Sequence, residues 1–436
     1  MASEDERPAA IPSAREYLRL VALGALVGLP AALLAALFLA MVHEAEHRLW
    51  NDLPDALGRD SPPWYLVLAL PLVGAVIVAV ARRFLPGDGG HRPLEGIGGG
   101  PTPVAYVPGV VLAALGSLPF GLVLGPEAPV IALGTAVGLA VNKWAKLDGP
   151  AAQVVANAGA FSAISALFGG PIVAGVLLVE AGVGLGAALL PALLPGFVAA
   201  AVGYLLFVGF GDFGGLDTPG LSVPGLATYD GVHAGDLALA VTVGVLTALA
   251  VVLVKALARR VEGLAPRMGL LRLLLAGGLA VGLAALAAQA CGAEPQEVLF
   301  SGQNSIPAVV DESSVGVIVA VLVAKLLAYA VSLGSGFRGG PIFPALFLGV
   351  GIASVAVAWF DASPTWAIAV GAGAGMAAQA RLLLAPAVFG ALLVGQAGAD
   401  TAPAVVLAVA AAWLVATGLD KTATQASATG PAEPGR

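Results

Sequence analysis

Residues 125–134 read GPEAPVIALG, and residues 340–349 read GPIFPALFLG. Both segments fit the pattern GPxxPxxxLG, and the second follows the first by 340 − 125 = 215 residues. Another pair, GPIVAGVLLV at 170–179 and APAVFGALLV at 385–394, keeps the same offset, since 386 − 171 = 215 for the shared prolines. Two motifs in one register indicate that the chain contains an internal duplication.

The composition is that of a membrane protein. Hydrophobic residues make up 59% of the chain and charged residues only 11%, whereas a soluble domain has about 45–50% and 25%. At least ten apolar segments between Tyr17 and Leu419 are candidates to cross a bilayer, which takes about 20 residues per helix. The 59 glycines and 31 prolines predict close helix packing and several broken helices. The fold class is therefore an all-α polytopic membrane protein.

A Gly-, Pro- and Asp-rich segment divides the chain into two membrane halves. The predicted organisation is a cytoplasmic tail at 1–16, a first membrane repeat at 17–210, a linker at 211–235, a second membrane repeat at 236–420 and a disordered cytoplasmic tail at 421–436. The first apolar run, 18–42, is too long for a signal peptide and is interpreted as a membrane helix. Arginines precede the first span and follow the second: Arg7, Arg15, Arg19, Arg82, Arg83 and Arg92. This bias predicts a cell-membrane protein with its termini in the cytoplasm.

Internal duplication in a membrane protein is typical of transporters, whose sites form near the midplane from discontinuous helices. Glu127 and Glu180 are the two acidic residues that lie inside long apolar runs, and an ionisable group at membrane depth indicates function. Glu127 follows Gly-Pro, which places it in the first turn of a helix, where free N–H groups attract anions. We interpret its carboxylate as a tethered anion that protonation would release; the alternative is a simple helix cap.

The second copy offers the same helix start without a carboxylate, because Ile342 and Phe343 stand where the first copy has Glu127 and Ala128. The two helix starts are expected to converge on one anion. Arg338 and Lys325 add positive charge in the second half, although either could instead extend its charge to the membrane interface.

These residues carry a resemblance to the ClC family of chloride channels and proton-coupled chloride transporters. GPEAP at 125–129 resembles the family motif GREGP, GGPIFP at 339–344 resembles GxFxP, and GQNSIP at 302–307 lies where the family has a comparable segment. The resemblance spans roughly residues 20–420. It implies an inverted-repeat bundle, a homodimer, a chloride or similar small-anion substrate, possible proton coupling, and Glu127 as gating glutamate.

The resemblance has three departures. Where the family has GSGIP, residues 87–93 read GDGGHRP, which lacks the serine, so the N–H groups of Gly89 and Gly90 are the expected substitutes, with Asp88 beside them. The central tyrosine near the C-terminus is absent, because the last tyrosine is Tyr329. Glu180 aligns with the first member of a Glu-Glu pair, so it is either a second proton-pathway carboxylate or a structural one. The full set of predicted anion-binding residues is Gly89, Gly90, Gly125, Ala128, Gly340, Ile342 and Phe343.

Two other function classes were weighed. An intramembrane hydrolase could use Ser335 in LGSGF (333–337), but the four histidines lie in polar segments or at span ends. A cation-coupled transporter of a small organic solute would also suit the duplication, but converging helix N-termini favour an anion. The single cysteine, Cys291, excludes an intrachain disulfide. No metal, cofactor or nucleic-acid partner is expected, and the choice between a channel and a proton-coupled exchanger stays open.

Overall fold

The computed structural model describes residues 13–96, 100–182, 189–211, 213–216, 223 and 225–428. Over these residues the chain is helical, and its only β-type pairings are two isolated bridges. The helices of the first half are α1 Ala14–His47, α2 Leu53–Ala56, α3 Trp64–Phe84, α4 Val107–Ser117, α5 Glu127–Ala145, α6 Gly149–Leu167, α7 Pro171–Ala181 and α8 Leu189–Val208.

The second half resembles the first in its long helices. Its helices are α9 Ala234–Glu262, α10 Ala265–Met268, α11 Leu270–Gln289, α12 Pro295–Val298, α13 Ile306–Asp311, α14 Val315–Gly334, α15 Ile342–Phe360, α16 Pro364–Ala380, α17 Leu384–Leu393 and α18 Ala402–Ala428. At an offset of 215 residues, α5 corresponds to α15, α6 to α16 and α7 to α17. The duplication read from the sequence is thus present in the helices themselves.

Helix packing is duplicated as well. In the first half α5 packs on α6, α1 on α8 and α3 on α4; in the second half α15 packs on α16, α9 on α18 and α11 on α14. Each half is therefore a bundle of the same design. The predicted inverted-repeat bundle with broken helices is confirmed.

The last glycine of GPxxPxxxLG explains how these pairs approach so closely. A Cβ on Gly134 of α5 would lie 2.4 Å from the carbonyl oxygen of Gly159 in α6, and a Cβ on Gly349 of α15 would lie 2.1 Å from that of Gly371 in α16. Only a residue without a side chain permits such backbone contact, and in lipid this close packing replaces the hydrophobic drive. The motif therefore encodes a helix contact at its end as well as a helix start.

Among the described residues, eight helical segments are long and apolar enough to cross a membrane, which is fewer than the ten or more expected. The shortfall arises because α7 and α17 span only 11 and 10 residues. The helices α6 and α16 lie inside the bundle, and α16 is buried from Thr365 to Gln379. A helix surrounded by protein does not need a strongly apolar surface.

The ends and the linker are only partly described. Residues 1–12 and 429–436, and part of the predicted linker at 211–235, lie outside the described residues. The last helix continues to Ala428, which is beyond the start of the tail predicted at 421. The predicted boundaries between repeats, linker and tails otherwise stay predictions.

Candidate functional site

The two copies of the motif meet directly at the centre of the bundle. The N–H of Gly125 donates to the carbonyl oxygen of Gly340 at 2.7 Å, and the N–H of Gly340 donates to that of Gly125 at 2.5 Å. This antiparallel bridge stands immediately before the first turns of α5 and α15. It brings the two helix N-termini to one place, as the sequence predicts.

A matched pair of serines holds the bridge from both sides. Ser117 at the end of α4 accepts a hydrogen bond from the N–H of Arg338 at 3.1 Å, and Ser332 in α14 accepts one from the N–H of Val123 at 3.0 Å. Both serines are fully buried. They are repeat mates, since 332 − 117 = 215, and so are the donors, since 338 − 123 = 215. Each repeat thus holds the other's motif in position.

Glu127 is the first residue of α5 and is fully buried. Its Oε1 accepts a hydrogen bond from the N–H of Phe343 in the first turn of α15 at 2.7 Å. Its Oε2 has no hydrogen-bond partner among the residues that the structure describes. The carboxylate of one repeat therefore occupies the helix N-terminus of the other, where unpaired N–H groups and the helix dipole favour negative charge.

The absence of side chains at the bridge makes room for this carboxylate. A Cβ on Gly340 would lie 1.6 Å from Oε2 of Glu127, and a Cβ on Gly125 would lie 2.2 Å from the same atom. The N–H groups of both glycines are used in the bridge. Gly125 and Gly340 therefore shape the site by their small size, while Ile342, Phe343 and Ala128 present first-turn N–H groups.

Aromatic side chains and a tyrosine surround the second helix start. The Phe343 ring stacks on Phe168 with ring centroids 5.5 Å apart, and Phe168 meets Phe389 edge-on at 5.4 Å. The hydroxyl of Tyr329, which is fully buried, donates to the carbonyl oxygen of Pro341. The last tyrosine of the chain thus fixes the turn that precedes α15.

The glycines that were expected to replace the missing serine lie beside this turn. Gly89 is buried, and a Cβ on it would lie 2.9 Å from Cβ of Ala113 and 3.3 Å from Cγ of Arg338. The N–H of Gly90 is used in a turn with the carbonyl oxygen of Gly87. The structure therefore brings Gly89 next to Arg338, two residues before Gly340, while Gly90 closes its own loop.

Asp88 is held by two arginines. Its carboxylate contacts Nε of Arg82 at 2.8 Å and Nη2 of Arg338 at 2.5 Å, and its carbonyl oxygen accepts from Nε of Arg338 at 3.0 Å. Burial would raise the pKa of Asp88, but the hydrogen bonds and charges of Arg82 and Arg338 outweigh it and hold that pKa below its usual value. Arg338 is 3% exposed, so its charge is buried between Asp88 and the bundle.

Lys325 also stays inside the protein. Its Nζ donates to the carbonyl oxygens of Glu297 at 3.0 Å and Leu299 at 2.8 Å, and it lies 4.3 Å from the ring centroid of Phe347. These carbonyls lie in the last turn and at the C-cap of α12, where acceptors lack helical partners. Lys325 therefore ties α14 to that end, and both cations are buried and bonded to protein groups.

Glu180 is placed at the contact between α7 and α17. Its Oε1 accepts hydrogen bonds from the N–H groups of Leu383 and, at 3.1 Å, Leu384, and its Oε2 accepts from that of Ala385 at 2.9 Å. Three N–H groups at the start of α17 are thus satisfied by one carboxylate from the mate helix α7, which is a capping arrangement across the repeat boundary.

Two cavities open towards opposite faces of the bundle. The gate cavity has a volume of about 640 Å³ and is lined by Leu124 and Pro126, the second half of α1 with His43 and Glu46, and residues 300–305. The serine cavity has a volume of about 160 Å³ and is lined by Arg82, Arg92, Leu273, Ser335, Gly336 and Arg338. Because α1 ends and α3 begins on one face and α3 ends on the other, the cavities lie on opposite sides.

Comparisons with known proteins agree with this arrangement. The sequence profile of the family described as "Voltage gated chloride channel" matches residues 73–417. "Putative ion-transport protein YfeO" of Escherichia coli O7:K1 is 27% identical over 356 residues, covering 78% of this chain and 79% of that protein. The YfeO protein of Escherichia coli O1:K1 is 29% identical over 350 residues, with the same coverage.

Solved structures share the fold. A slow cyanobacterial Cl⁻/H⁺ antiporter has a TM-score of 0.73 at 18% identity, covering 97% of this chain and all of that one. A CLC-type fluoride/proton antiporter has a TM-score of 0.72 at 19% identity, covering 94% and 98%. The family match over residues 73–417 defines the class as anion channels and antiporters rather than enzymes. The chain belongs to the voltage-gated chloride channel family, so it is a multi-pass membrane protein of that class.

Several residues of the site escaped the sequence analysis. Ser117 and Ser332 could have been found, because they keep the 215-residue offset in a shared Ser-Leu pair. Phe168 and Phe389 carry no such signal, since neither has an aromatic repeat mate. Tyr329 entered only as evidence that a later tyrosine is missing, and its contact with Pro341 could not be read from spacing.

Proposed function

We propose that this chain moves chloride or a similar small inorganic anion through the centre of the bundle, with Glu127 as its gate. The observation that carries the proposal is the position of the Glu127 carboxylate. It is buried on the N-terminus of α15 and accepts the N–H of Phe343 at 2.7 Å. A mobile anion would use the same N–H groups, so the carboxylate and the anion compete for one place.

Protonation of Glu127 would weaken its hold on that place. A neutral carboxylic acid loses the attraction of the helix dipole and of the N–H donors, whereas a permeant anion keeps both. The carboxyl would then swing away, and the gate cavity, which Leu124 and Pro126 line, offers the nearest free volume. The first-turn N–H groups of Ile342, Phe343 and Ala128 then become the anion's ligands, with Gly125 and Gly340 leaving the space that it needs. The anion reaches this place past Gly89, beside Arg338. Gly90 stabilises the turn there through its N–H bond to the carbonyl oxygen of Gly87.

Glu180 is assigned a structural role in this proposal. Its carboxylate accepts three backbone N–H groups at the start of α17, and it would have to give them up to carry protons. Two of the structural neighbours are named as proton antiporters, so exchange for protons stays a candidate for this chain, but the route through Glu180 is not favoured. A cation-coupled organic-solute transporter is not favoured either, given the family.

Three further parts of the proposal concern the setting of the protein. The chain is proposed to form a homodimer, to reside in the cell membrane and to keep both termini in the cytoplasm. Arg82 and Arg92 lie on the face where α3 ends, and the excess of arginine there favours a cytoplasmic position for that face. Static light scattering in detergent tests the dimer, and protease protection of terminal tags tests the orientation.

The test of the gate is anion flux from liposomes that contain the purified protein. Flux of chloride should rise as pH falls in the wild-type protein. In Glu127→Gln and Glu127→Ala it should be high and independent of pH, because no charge competes for the site. Glu44→Gln, at an exposed glutamate on α1, is the matched control and should keep the wild-type profile. A Glu127 variant that retains the wild-type pH dependence would overturn the gate.

Coupling is measured separately from gating. The reversal potential is recorded under opposed chloride and proton gradients. A potential that moves with the proton gradient identifies an exchanger, and one that follows chloride alone identifies a channel or uniporter. Uptake of an organic solute driven by sodium, with no anion flux, would contradict the proposed function as a whole.

A further inference from the structure

Four exposed arginines lie on the face of the bundle where α3 and α9 end. They are Arg83 of α3, Arg260 of α9, Arg267 of α10 and Arg272 of α11, and together they are called the arginine rim. Their helix ends are close together, because residues of all four helices line the serine cavity, which has a volume of only about 160 Å³. The four charges therefore form one cluster at a single place on the protein surface.

The positive charge of the arginine rim is not neutralised by the protein. None of the four side chains has an ion pair or a hydrogen bond with a residue that the structure describes. The carboxylates of this region are engaged elsewhere: Glu262 pairs with Arg92 at 3.0 Å, and Asp88 pairs with Arg82 and Arg338. The rim is therefore free to attract a partner with negative charge.

The surface that continues from the rim into the membrane is apolar. The helix α9 packs on α14, α14 on α11 and α11 on α3, so these four helices form one wall, and all four are among the segments able to cross a membrane. On α3, α9 and α11 the arginine shares a helix face with exposed apolar residues three, seven or eleven positions away. The stripes are Val76, Val80 and Arg83 on α3, Leu249, Leu253 and Arg260 on α9, and Arg272, Leu279 and Leu283 on α11.

The matching connection of the first repeat has the opposite charge. At the 215-residue offset Arg267 corresponds to Asp52, and the segment between α1 and α3 also contains Asp55 and Asp60. That connection lies on the other face of the bundle, where α1 ends and α3 begins. The duplicated helix geometry therefore does not require arginines at this position.

We propose that the arginine rim binds the headgroup of an anionic phospholipid, whose acyl chains lie along the wall formed by α9, α14 and α11. A guanidinium suits a phosphate diester, because its planar donors can bond two phosphate oxygens at once. Clusters of about four to eight basic residues at the ends of membrane helices attract anionic lipids. A free inorganic anion would leave the adjoining apolar wall unused. The inference does not depend on Glu127 or on the movement of anions.

The test is native mass spectrometry of the purified full-length protein with added lipid. Phosphatidylglycerol should be retained in preference to phosphatidylcholine with the same acyl chains, and the preference should fall as the salt concentration rises. A variant that combines Arg260→Gln, Arg267→Gln and Arg272→Gln should bind phosphatidylglycerol more weakly, by about fivefold for each charge removed. Lysine at the same three positions keeps the charge, so that variant should bind more tightly than the glutamine variant.

The matched control removes three positive charges from another place on the same face. It combines Arg15→Gln, Lys143→Gln and Lys146→Gln, at the start of α1 and the end of α5. These helix ends meet where Nη2 of Arg19 donates to the carbonyl oxygen of Ala145 at 2.9 Å. The control variant has the same net charge as the glutamine variant of the rim and should keep the wild-type preference for phosphatidylglycerol.

Thermal melting gives a second readout and shows that the variants fold. The rim arginines are exposed and have no partner among the described residues, so in detergent alone the glutamine variant should melt at the wild-type temperature. Phosphatidylglycerol should raise the melting temperature of the wild-type and control proteins more than that of the glutamine variant, because a ligand stabilises the state that binds it. Inorganic phosphate should not produce this rise.

Three results would overturn the inference: equal retention of the two lipids, an equal loss of phosphatidylglycerol binding in the glutamine and control variants, and the same melting shift with inorganic phosphate alone. The acidic residues Glu4, Asp5 and Glu6 of the chain itself are the competing occupant of the rim. If phosphatidylglycerol binds only after Glu4→Gln, Asp5→Asn and Glu6→Gln are introduced together, the rim holds that segment rather than a lipid. Glu127→Gln should bind phosphatidylglycerol as the wild-type protein does.

Discussion

The two repeats share a scaffold but differ in the charges they place on it. Both start a helix after Gly-Pro, both use a buried serine to hold the other's motif, and both end the motif at a glycine in contact with the next helix. Yet Glu127 corresponds to Ile342, and Arg338 corresponds to Val123. The duplicated residues build the place where helix ends meet, and the residues that differ decide what occupies it.

Glu180 follows the same rule. Its repeat mate is Gly395, and the carboxylate caps α17 while no equivalent side chain at position 395 caps α7. The serine cavity is also one-sided, because Ser335 corresponds to Phe120. Substitutions at positions shared by the two repeats should therefore have similar effects in both halves. Substitutions at positions that differ should have an effect in one half that the matching substitution in the other half lacks.

The largest effect is expected from Gly340→Ala. The new Cβ would lie 1.6 Å from Oε2 of Glu127, so the carboxylate should lose its seat, and overpacking of this kind costs about 1–3 kcal/mol. Chloride flux should therefore lose its dependence on pH, as in Glu127→Ala, while its level should stay below that of Glu127→Ala because the same methyl group narrows the space for the anion. Gly316→Ala, where a Cβ would meet only Ser314 at 3.7 Å, is the control. Wild-type flux from a folded Gly340→Ala protein would show that the seat is not the gate.

The serine pair tests the shared scaffold. Ser117→Ala and Ser332→Ala each leave a buried backbone N–H unpaired, that of Arg338 or of Val123, and each should destabilise the protein by about 1–3 kcal/mol. Melting temperatures in detergent should fall by similar amounts in the two variants. Ser354→Ala should have little effect. A loss confined to one of the two would mean that the repeats do not hold each other equally.

Glu180→Ala addresses a residue that differs between the repeats. Removing a helix cap costs about 1 kcal/mol, so the melting temperature should fall, while the dependence of the reversal potential on the proton gradient should not change. Glu44→Ala, which breaks only an exposed pair with Arg48, should lower stability less. If proton coupling disappears in Glu180→Ala but not in Glu44→Ala, the carboxylate carries protons after all.

The smallest effect concerns Asp88, whose side chain is 57% exposed. The pKa of this group is lowered in the folded protein, so its ion pairs contribute stability above the unfolded pKa of about 3.9 and lose it as pH falls through the folded pKa. Because solvent screens the pair, Asp88→Asn should cost only a few tenths of a kcal/mol at pH 7. The difference in melting temperature between the two proteins should shrink as the pH falls below about 3.9 and should vanish once the pH is below the folded pKa. A difference that grows on acidification would contradict the assignment.

Much of the fold could be read from the sequence because its signals are local. Gly-Pro steps and apolar runs placed the starts of α5 and α15 correctly, and the 215-residue offset predicted that they are mates. The lengths of short helices were harder, since α7 ends at Ala181 within a longer apolar run. Where protein rather than lipid surrounds a helix, hydropathy no longer marks its ends.

The sequence predicted the parts of the site that lie within the repeated motif and not the parts outside it. The spacing placed Glu127 at a helix start and brought Phe343 to it. The burial of Arg338 and Lys325 could not be predicted, because a buried cation and one that reaches the interface have the same sequence pattern. Their partners, the carboxylate of Asp88 and the carbonyls of Glu297 and Leu299, are far away along the chain, and only the fold brings them together.

The bridge between Gly125 and Gly340 also constrains how the protein is made. The two bridged residues are 215 residues apart in the chain. Since a ribosome adds about 5–20 residues per second, roughly 10–40 s pass between the synthesis of Gly125 and that of Gly340. During that interval the N-terminus of α15, whose Phe343 N–H the Glu127 carboxylate accepts, does not yet exist. The buried position of the Glu127 carboxylate is therefore among the last features to form during synthesis, and a nascent chain stopped before residue 340 should leave Glu127 accessible to carboxyl-modifying reagents.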